Sequence, residues 1–343
     1  GLHPYRLHTA GKRLDGCRDC LGHKCPRACK MDGRSAGVEP ALATGNAALL
    51  TGCEVTRLTR NDDHSVSVEM CLNGVSETLS ARHVVLAAGA VTSPRLLLAS
   101  RSEQDPNGIG NGAGLVGCNL MFHLNEIFAL WPGKSAGFAG PSKSVGFRDL
   151  YFARGQRLGM VQAMGIDVGY GEIGHHLRGR VARSWLRRVP GATDLTRIPA
   201  AIGAKLMGTA KVFVGLLEDL PYAQNRVVLD AGNPGRITLE YRVSEELLTR
   251  RKLFRRLIRT SFKGTRTAFL THEPEPNFGH PCGTLRMGVD VGKSVVNADC
   301  RVHDVPNLWV VDASVFPTSM GVNPSLTIAA NALRVADRIK DSK

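Results

Sequence analysis

An uninterrupted apolar run constrains the fold of this chain more than any other feature. Residues 82–90 read RHVVLAAGA, and the residues behind them, 94–100, read PRLLLAS, which favours a helix. Strands that are apolar on both faces are typical of parallel sheets covered by helices, whereas a strand with one wet face alternates apolar and polar residues. The run therefore predicts a buried parallel strand followed by a helix, and with them an α/β domain.

A second kind of domain is expected because the pattern of apolar and polar residues changes elsewhere in the chain. Residues 53–58 and 65–70 alternate as strands do, and residues 225–230 and 236–241 read as two strands joined by a turn. A chain of 343 residues has room for about two domains. We therefore expect an α/β domain combined with a separate α+β domain in the middle of the chain.

The charge is strongly basic, with a formal net charge of +14. Such a charge favours polyanions, acidic partners or an anionic membrane face. Basic residues concentrate in two runs, 178–188 and 250–266, and the second alternates with apolar residues at helical spacing behind Ser244 and two glutamates. A solvated basic helix face explains the second run most simply. A nucleic-acid or lipid surface is the alternative.

Cysteine usage favours a reduced, cytoplasmic protein, because nine cysteines is an odd count. Four of them cluster: Cys17, Cys20, Cys25 and Cys29. Their spacing matches neither zinc knuckles nor iron–sulfur runs, so we expect a loop with free thiols and no metal site, with an oxidised pair as an alternative. The chain begins at Gly1 without an initiator methionine, so we expect a processed product or a piece of a longer chain, with an upstream targeting signal left open. The uncharged stretch 313–333 is too polar to cross a bilayer.

One histidine has unusually constrained neighbours. Residues 277–288 read NFGHPCGTLRMG, which places His280 between glycine and proline on a tightly defined loop. An imidazole titrates near neutral pH, so a positioned histidine is suited to act as a general base. A structural loop histidine is the alternative.

The last segment combines a strand with a helix start. An apolar strand ends at Asp312, whose carboxylate could face ribose or ribitol hydroxyls or could simply close a turn. Asn323 and Pro324 follow, and local rules make them the N-cap and the first-turn proline of a helix that continues to about residue 339. The dipole of that helix would stabilise nearby negative charge, such as that on a reduced flavin.

These three segments together resemble the glucose-methanol-choline (GMC) family of flavin-dependent oxidoreductases. The resemblance lies in the texts HVVLAAGAVTSPRLLLAS, GLVGCNLMFH and HPCGTLRMG, and in the long segment from VVNADCRVHD to NALRVADRI. It implies FAD as cofactor and hydride transfer from an alcohol carbon to flavin N5. His280 matches the active-site histidine that accepts the hydroxyl proton, and Asn323 matches the second active-site position. The positions that match cofactor contacts are Val55, Ala88, Gly89, Asp312, Ala313, Pro324 and Thr327.

The resemblance also implies a domain plan. We expect a cysteine-rich irregular segment over 1–40, part of the FAD-binding domain over 41–120, a substrate cap over 121–274 and the remainder of the FAD-binding domain, with the active site, over 275–343. The fold class is then an incomplete FAD-binding Rossmann-like domain with an inserted antiparallel-sheet substrate domain. The family's first strand, Gly-rich turn and helix, which bind the FAD pyrophosphate, have no counterpart here.

The predicted function is FAD-dependent oxidation of a small-molecule alcohol to an aldehyde or ketone, by a dehydrogenase or oxidase acting on CH–OH groups. The alcohol and the electron acceptor are not predicted, and no nucleic-acid partner is expected. Two alternatives are kept. The first alternative is an inactive truncated paralogue. The second is a basic, cysteine-clustered module that binds metal or nucleic acid.

Overall fold

The computed structural model describes residues 2–6, 29, 31–132, 143, 145–165, 169–208, 210–230 and 232–342. The strands in this part of the chain are β1 (Pro4–Arg6), β2 (Cys53–Arg60), β3 (Val66–Leu72), β4 (Val75–Ala81), β5 (Val84–Leu86), β6 (Met121–Trp131), β7 (Val145–Phe147), β8 (Phe152–Ala153), β9 (Gln156–Arg157), β10 (Gly159–Ala163), β11 (Lys211–Leu217), β12 (Arg226–Asp230), β13 (Asn233–Glu240), β14 (Arg266–Phe269), β15 (Pro276–Cys282) and β16 (Leu308–Val310). The α-helices are α1 (Glu39–Ala43), α2 (Gly89–Ala99), α3 (Tyr170–Arg183), α4 (Ala192–Leu195), α5 (Arg197–Met207), α6 (Glu245–Ser261) and α7 (Ser325–Asp341).

The chain divides into two compact units. The first comprises Gly1–Met31, Asn125–Leu217 and Arg250–Glu275, and the second comprises Asp32–Leu124, Glu218–Thr249 and Pro276–Lys343. The domain boundaries expected from the sequence stay a prediction.

The second unit contains the parallel strand pair and helix that the apolar run predicts. β5 and β16 pair in parallel, with Val84 opposite Leu308 and Leu86 opposite Val310. α2 begins three residues after β5 ends. Burial of β5 on both faces is not complete, because Leu86 is buried whereas Val85 is 45% exposed. The core around this pair joins buried leucine side chains of α2 to buried valine, leucine and aromatic side chains of residues 295–316.

Antiparallel strands make up the rest of the sheet structure in the second unit. β2, β3 and β4 form a three-stranded antiparallel sheet, and β12 and β13 form a hairpin. The strands predicted from alternation at 53–58, 65–70, 225–230 and 236–241 are thereby confirmed. The molecule is a mixed α/β protein with antiparallel sheets, which is the coarser part of the predicted fold class.

The first unit is built on an antiparallel sheet that contains β1, β7, β10, β11 and β14, together with the end of β6. Gly215 of β11 gives α6 a close approach, since a Cβ there would lie 2.7 Å from the ring of Phe254. That ring is fully buried. Phe128 stacks on Phe213 with ring centroids 5.9 Å apart, which adds aromatic packing on the same sheet.

The second basic run is not simply a solvated helix face. Glu126 is fully buried on β6, and its carboxylate binds Arg251 and lies 2.6 Å from Arg255 Nη1. A carboxylate without partners would be very costly at this depth, so two guanidinium groups are drawn into the structure. The simple expectation is therefore wrong for these two arginines. The expected N-cap is confirmed, because Ser244 Oγ accepts a hydrogen bond from the N–H of Leu247 at 3.1 Å.

Two absences apply only to the described residues. No helix among them is long and apolar enough to span a membrane. No group of three or more histidine, cysteine, aspartate or glutamate side chains among them could hold a metal ion. Cys17, Cys20 and Cys25 lie outside the described residues, whereas Cys29 is described and buried.

Gly283 is expected to contribute strongly to the stability of the second unit. Its φ is +89°, and a Cβ would collide with the Met121 side chain and lie 2.6 Å from the Asn119 carbonyl oxygen. Gly283→Ala should lower the free energy of unfolding by about 3 kcal/mol, as strain and overpacking add. Gly114→Ala is the matched control, because φ is +69° there and no atom lies within 4 Å.

The control should cost only about 1 kcal/mol, from backbone strain alone. Urea unfolding of both variants measures the difference. Equal costs would show that no steric clash exists at Gly283.

Candidate active site

His280 lies on a strand whose pairing is interrupted at this residue. β15 pairs with the start of β6 through Pro276 and Asn277 at one end and Cys282 at the other, and the register shifts between them. Such an irregularity bends a strand and redirects its side chains. His280 is half-buried, so part of its surface remains accessible.

A second histidine, which the sequence motifs do not single out, contacts His280 directly. His123 lies on β6 with 1% of its surface exposed. Its Nδ1 is 2.9 Å from Nδ1 of His280, and its Nε2 is 2.7 Å from the carbonyl oxygen of Met320. The two rings meet edge to face, with centroids 5.0 Å apart. His123 thus joins the His280 strand to the loop that precedes α7.

The hydrogen-bond pattern assigns the protons of this histidine pair. A carbonyl oxygen only accepts, so Nε2 of His123 carries the hydrogen that it donates to Met320. Burial, with the charge of His280 as the second cause, lowers the pKa of His123 to about 4. His123 is therefore neutral at pH 7, and its Nδ1 is an acceptor. His280 must then donate through Nδ1–H, which leaves Nε2 as its proton-accepting atom.

Asn277 lies beside the pair without changing this assignment. Its Oδ1 accepts the N–H of Gly279 at 3.1 Å, which turns the amide nitrogen toward Nδ1 of His280, 3.1 Å away. If Asn277 donated to that Nδ1, two imidazole lone pairs would face each other at 2.9 Å, whereas hydrogen on Nδ1 instead places two donors opposite each other at the longer distance of 3.1 Å. The bond between the two histidines therefore decides the tautomer.

The carbonyl that holds His123 is itself held in an unusual backbone conformation. Met320 has a φ of +59°, a region that residues with a side chain rarely adopt. Ser319 Oγ donates to the Met320 carbonyl at 3.2 Å and accepts the N–H of Asp219 at 2.7 Å. Asp219 is fully buried, and its carboxylate accepts from the Tyr241 hydroxyl at 2.8 Å. The strained residue is thus supported by a buried polar network.

Asp312 uses both carboxylate oxygens within the protein. Oδ2 accepts from the N–H of Gly89 at 2.9 Å and from Ser93 Oγ at 2.5 Å. Oδ1 accepts from the N–H and the hydroxyl of Ser314, at 2.8 Å and 2.5 Å. A carboxylate has about four acceptor positions, and all four are filled. Asp312 therefore ties the end of β16 to the start of α2, and its carboxylate has no remaining position for a ribitol hydroxyl.

The start of α2 leaves room for a ligand. Gly89 has a φ of +85°, and a Cβ there would meet no atom within 4 Å. Ala88 occupies the N-cap position without a side-chain cap and is exposed. The backbone is therefore accessible beyond the carboxyl end of a parallel strand, which is where α/β sheets bind cofactors.

Hydrogen bonds join this region to the His280 strand. The N–H of Gly283 donates to the carbonyl of Ala313 at 3.1 Å, and Thr284 Oγ1 donates to the carbonyl of Ala90 at 2.7 Å. The strand of His280, the turn after β16 and the start of α2 are thus one bonded assembly. The predicted residues His280, Ala88, Gly89, Asp312 and Ala313 all lie on it.

The remaining predicted residues lie outside those hydrogen bonds. Val55 pairs with Met70 beside a β-bulge in β2. Thr327 is exposed in the first turn of α7. The expectation that Asn323 caps this helix is wrong by one residue, since Pro324 occupies the N-cap position and no side chain caps it. Asn323 is an exposed residue just before the cap.

Cys282 does not compete with His280 as a base. Its side chain is buried two residues along the same strand. Burial, with nearby carboxylates, raises the pKa of the thiol, so that it is neutral at pH 7.

Comparison with known families decides what kind of protein carries this site. Family models described as GMC oxidoreductase, for the N-terminal and C-terminal parts, match residues 6–125 and 221–332, which together are more than half of the chain. The chain belongs to the GMC oxidoreductase family. The resemblance stated from the sequence motifs is thereby confirmed.

Named relatives of this GMC oxidoreductase chain include two curated enzymes and a solved structure. It is 29% identical to paromamine 6'-oxidase of Streptomyces fradiae, over 93% of the chain and 57% of the relative. It is 33% identical to 2-methyl-1,2-propanediol dehydrogenase of Mycolicibacterium austroafricanum, over 78% of the chain and 49% of the relative. Pyridoxine 4-oxidase from Mesorbium loti shares the fold, with a TM-score of 0.58, 23% identity, and coverage of 90% of this chain and 62% of that one. The chain thus spans about half the length of these curated relatives.

FAD is the cofactor of GMC oxidoreductases. The described residues fit it, because the open space at Gly89 gives a ring or phosphate access to the backbone at the start of α2. The filled acceptor positions of Asp312 add a limit: this residue could contact FAD through its backbone but not through its carboxylate.

The buried histidine makes stability depend on pH. The pKa of His123 is about 4 in the folded chain and about 6.5 in the unfolded one, so the unfolded chain binds the extra proton first as the pH falls. The part of the stability that depends on a neutral His123 is present above about pH 6.5 and is lost as the pH falls toward 4. Relative to His123→Asn, which cannot titrate, the free energy of unfolding should fall by about 2 kcal/mol more between pH 7 and pH 5.

Urea unfolding of both proteins at the two pH values checks this. Because the two proteins differ at position 123 alone, the difference reports on His123 and its contact with His280. Parallel pH dependence in the two proteins would contradict a buried, neutral His123.

Proposed function

We propose that this chain belongs to an enzyme that oxidises an alcohol to an aldehyde or ketone with FAD, and that His280 is the base. The observation that carries the proposal is the 2.9 Å contact between Nδ1 of His280 and Nδ1 of His123, whose Nε2 lies 2.7 Å from the Met320 carbonyl oxygen. From these contacts we infer that Nδ1 of His280 donates and that Nε2 accepts the hydroxyl proton. A base must present a lone pair at a defined atom, and the histidine pair provides one.

The proton transfer leaves charge on His280, and its neighbour can accommodate that charge. When Nε2 takes the proton, Nδ1–H stays bonded to the neutral His123, and a hydrogen bond from a charged donor is stronger than one from a neutral donor. If the base removes the hydroxyl proton while hydride leaves the carbon, no cationic carbonyl product forms. In this proposal Asn323 orients the substrate oxygen through its amide group.

FAD, when bound, supplies the hydride acceptor. Ala88, Gly89 and Ala313 would hold it through backbone groups, with Val55 on β2 and Thr327 at the start of α7 as further contacts. The β-bulge beside Val55 supports this, because backbone groups at a bulge are released from the strand ladder. Pro324, which is buried, would shape the same helix start.

The domain plan is part of the same proposal. Residues 41–120 and 275–343 would form a Rossmann-like FAD-binding domain, residues 121–274 the substrate cap, and residues 1–40 a preceding segment. The parallel pairing of β5 with β16 supports the Rossmann-like assignment. The cytoplasmic location expected from cysteine usage also remains a proposal. Family membership does not favour the alternative of a metal- or nucleic-acid-binding module.

FAD binding should depend on the open space at Gly89. A valine side chain would occupy it, so Gly89→Val should weaken FAD binding at least tenfold in a titration followed by flavin fluorescence. Gly114→Val is the matched control, with a similar positive φ and equal open space. The control should bind FAD as the unchanged chain does.

Equal affinity of both variants would remove Gly89 from the cofactor site. A chain that takes up no FAD would instead support the inactive-paralogue alternative.

Removal of the base should slow chemistry without removing the cofactor. His280→Ala should bind FAD normally, yet its flavin should be bleached by substrate alcohol 10²- to 10⁴-fold more slowly, the usual contribution of a general base. Anaerobic mixing with an alcohol panel that includes paromamine and 2-methyl-1,2-propanediol measures the rate.

His303→Ala is the matched control, because His303 is another half-buried histidine of the same unit. It should bleach at the unchanged rate. A His280→Ala rate equal to that of the control would refute the assignment of the base.

A further inference from the structure

One helix of the first unit presents its large apolar side chains to solvent. On α5, Ile198, Ile202 and Leu206 are 63%, 55% and 64% exposed. The opposite side of the helix carries small residues: Ala200 is fully buried, and a Cβ on Gly203 would lie 3.3 Å from Ile173 of α3. An ordinary surface helix shows the reverse pattern, with its large apolar residues toward the core. The outward face of α5 is therefore an apolar surface that a partner molecule could cover.

The apolar face continues before the helix. Leu195 at the end of α4 is 65% exposed, and we call Leu195, Ile198, Ile202 and Leu206 the α5 apolar row. At a helical rise of about 1.5 Å per residue the row is about 16 Å long. Trp185, in the short 3-10 helix Trp185–Arg188, is 75% exposed in the same helical segment.

The segment that carries the row is strongly basic. Residues 177–207 contain seven basic residues and one acidic residue, a formal charge of +6. The basic residues are Arg178, Arg180, Arg183, Arg187, Arg188, Arg197 and Lys205. The single acid, Asp194, lies 3.3 Å from Arg197 in an exposed ion pair. Lys205 lies within one helical turn of Ile202 and Leu206, so charge and apolar surface occur together on α5.

These features select among the possible partners. A second copy of the chain would bring a second charge of +6 against the first, which is repulsive. A nucleic acid would take the charge but has no apolar surface for the aliphatic row, and Trp185 is the single aromatic residue of 177–207 that could stack on bases. An anionic lipid surface matches both features, because basic residues bind the headgroups while leucine, isoleucine and tryptophan enter the boundary with the acyl chains.

We propose that residues 177–207 bind the surface of an anionic lipid bilayer, with the α5 apolar row and Trp185 at headgroup depth. Binding of this kind is peripheral and reversible, and it weakens with salt because the arginines act through screened charge. The proposal does not depend on the alcohol chemistry, since no residue of the candidate active site takes part.

Vesicle binding by the full chain tests the surface. The chain should float with vesicles of phosphatidylcholine and phosphatidylglycerol at a 3:1 ratio at low salt, and at least tenfold less with phosphatidylcholine alone. Brominated lipid should quench Trp185, because Trp309 is only 2% exposed and Trp131 is half-buried. Trp185→Phe should keep vesicle binding but lose most of the quenching.

Two variants and a matched control separate specific docking from general attraction of a basic chain. The row variant, Ile198→Gln with Ile202→Gln and Leu206→Gln, should bind vesicles at least tenfold more weakly while its melting temperature is unchanged, since these side chains are exposed. The charge variant, Arg183→Gln with Arg187→Gln and Arg188→Gln, should lose affinity to a similar extent. The control removes three exposed charges elsewhere in the same unit and should bind within about twofold of the unchanged chain: Lys252→Gln, Arg256→Gln and Lys263→Gln.

Three results would overturn the proposal. The first is absence of flotation with anionic vesicles at low salt. The second is equal loss of affinity in the charge variant and the control, with the row variant unaffected, since general electrostatics would then explain the binding. The third is a dimer in sedimentation analysis that the row variant abolishes, which would make the α5 apolar row a contact between copies of the chain.

Discussion

Two hydrogen bonds made by one buried, neutral imidazole determine how the candidate active site is arranged. His123 donates to the Met320 carbonyl and accepts from His280, so its protonation state fixes which ring nitrogen of His280 carries hydrogen. Burial keeps His123 neutral, because a charged ring would lose its hydration at that depth. If His123 were charged, both of its nitrogens would donate and His280 Nδ1 would have to accept, which would change the tautomer of the base.

The same bonds explain why a strained residue is tolerated. Met320 adopts a positive φ, which costs about 1–2 kcal/mol for a residue with a side chain. Its carbonyl accepts from both His123 and Ser319, and Ser319 is bound in turn to the buried Asp219. The loop just before Asn323 is thereby held in place by groups that lie about a hundred or more residues away in sequence. Strain supported in this way is typical of sites that must be organised before a ligand arrives.

Asp312 has a complementary role in the cofactor region. The carboxylate of Asp312 accepts four hydrogen bonds, two from α2 or its start and two from the turn after β16. It therefore links the end of β16 to the start of α2. Any contact with FAD would then fall to the backbone that Asp312 positions, and Gly89 leaves that backbone uncovered. Asp312 stays a predicted cofactor contact through its backbone, while its carboxylate supports the turn that positions that backbone.

Local patterns predicted what depends on neighbours in sequence. The strand–helix segment of residues 84–99, the β12–β13 hairpin and the Ser244 cap follow from apolar runs and turn residues, and His280 stood out because glycine and proline flank it. His123 could not be identified in this way, since its partners lie 157 and 197 residues away. Its signals are that it lies among the apolar residues at the start of β6 and that it ends the text GLVGCNLMFH, neither of which indicates a role for its side chain. The outward apolar face of α5 also escaped prediction, because periodicity shows that a helix has two faces but not which one meets solvent.

The tautomer of His280 is the most direct test of this account. Nitrogen-15 NMR of the histidine-labelled chain, with His280 assigned by comparison with His280→Ala, distinguishes a protonated ring nitrogen from one that carries a lone pair. At pH 7 we predict a neutral His280 with hydrogen on Nδ1 and a lone pair on Nε2. In His123→Phe, where the acceptor for Nδ1–H is lost, we predict a larger population of the tautomer with hydrogen on Nε2. A His280 with hydrogen on Nε2 in the unchanged chain would contradict the assignment of this atom as the base.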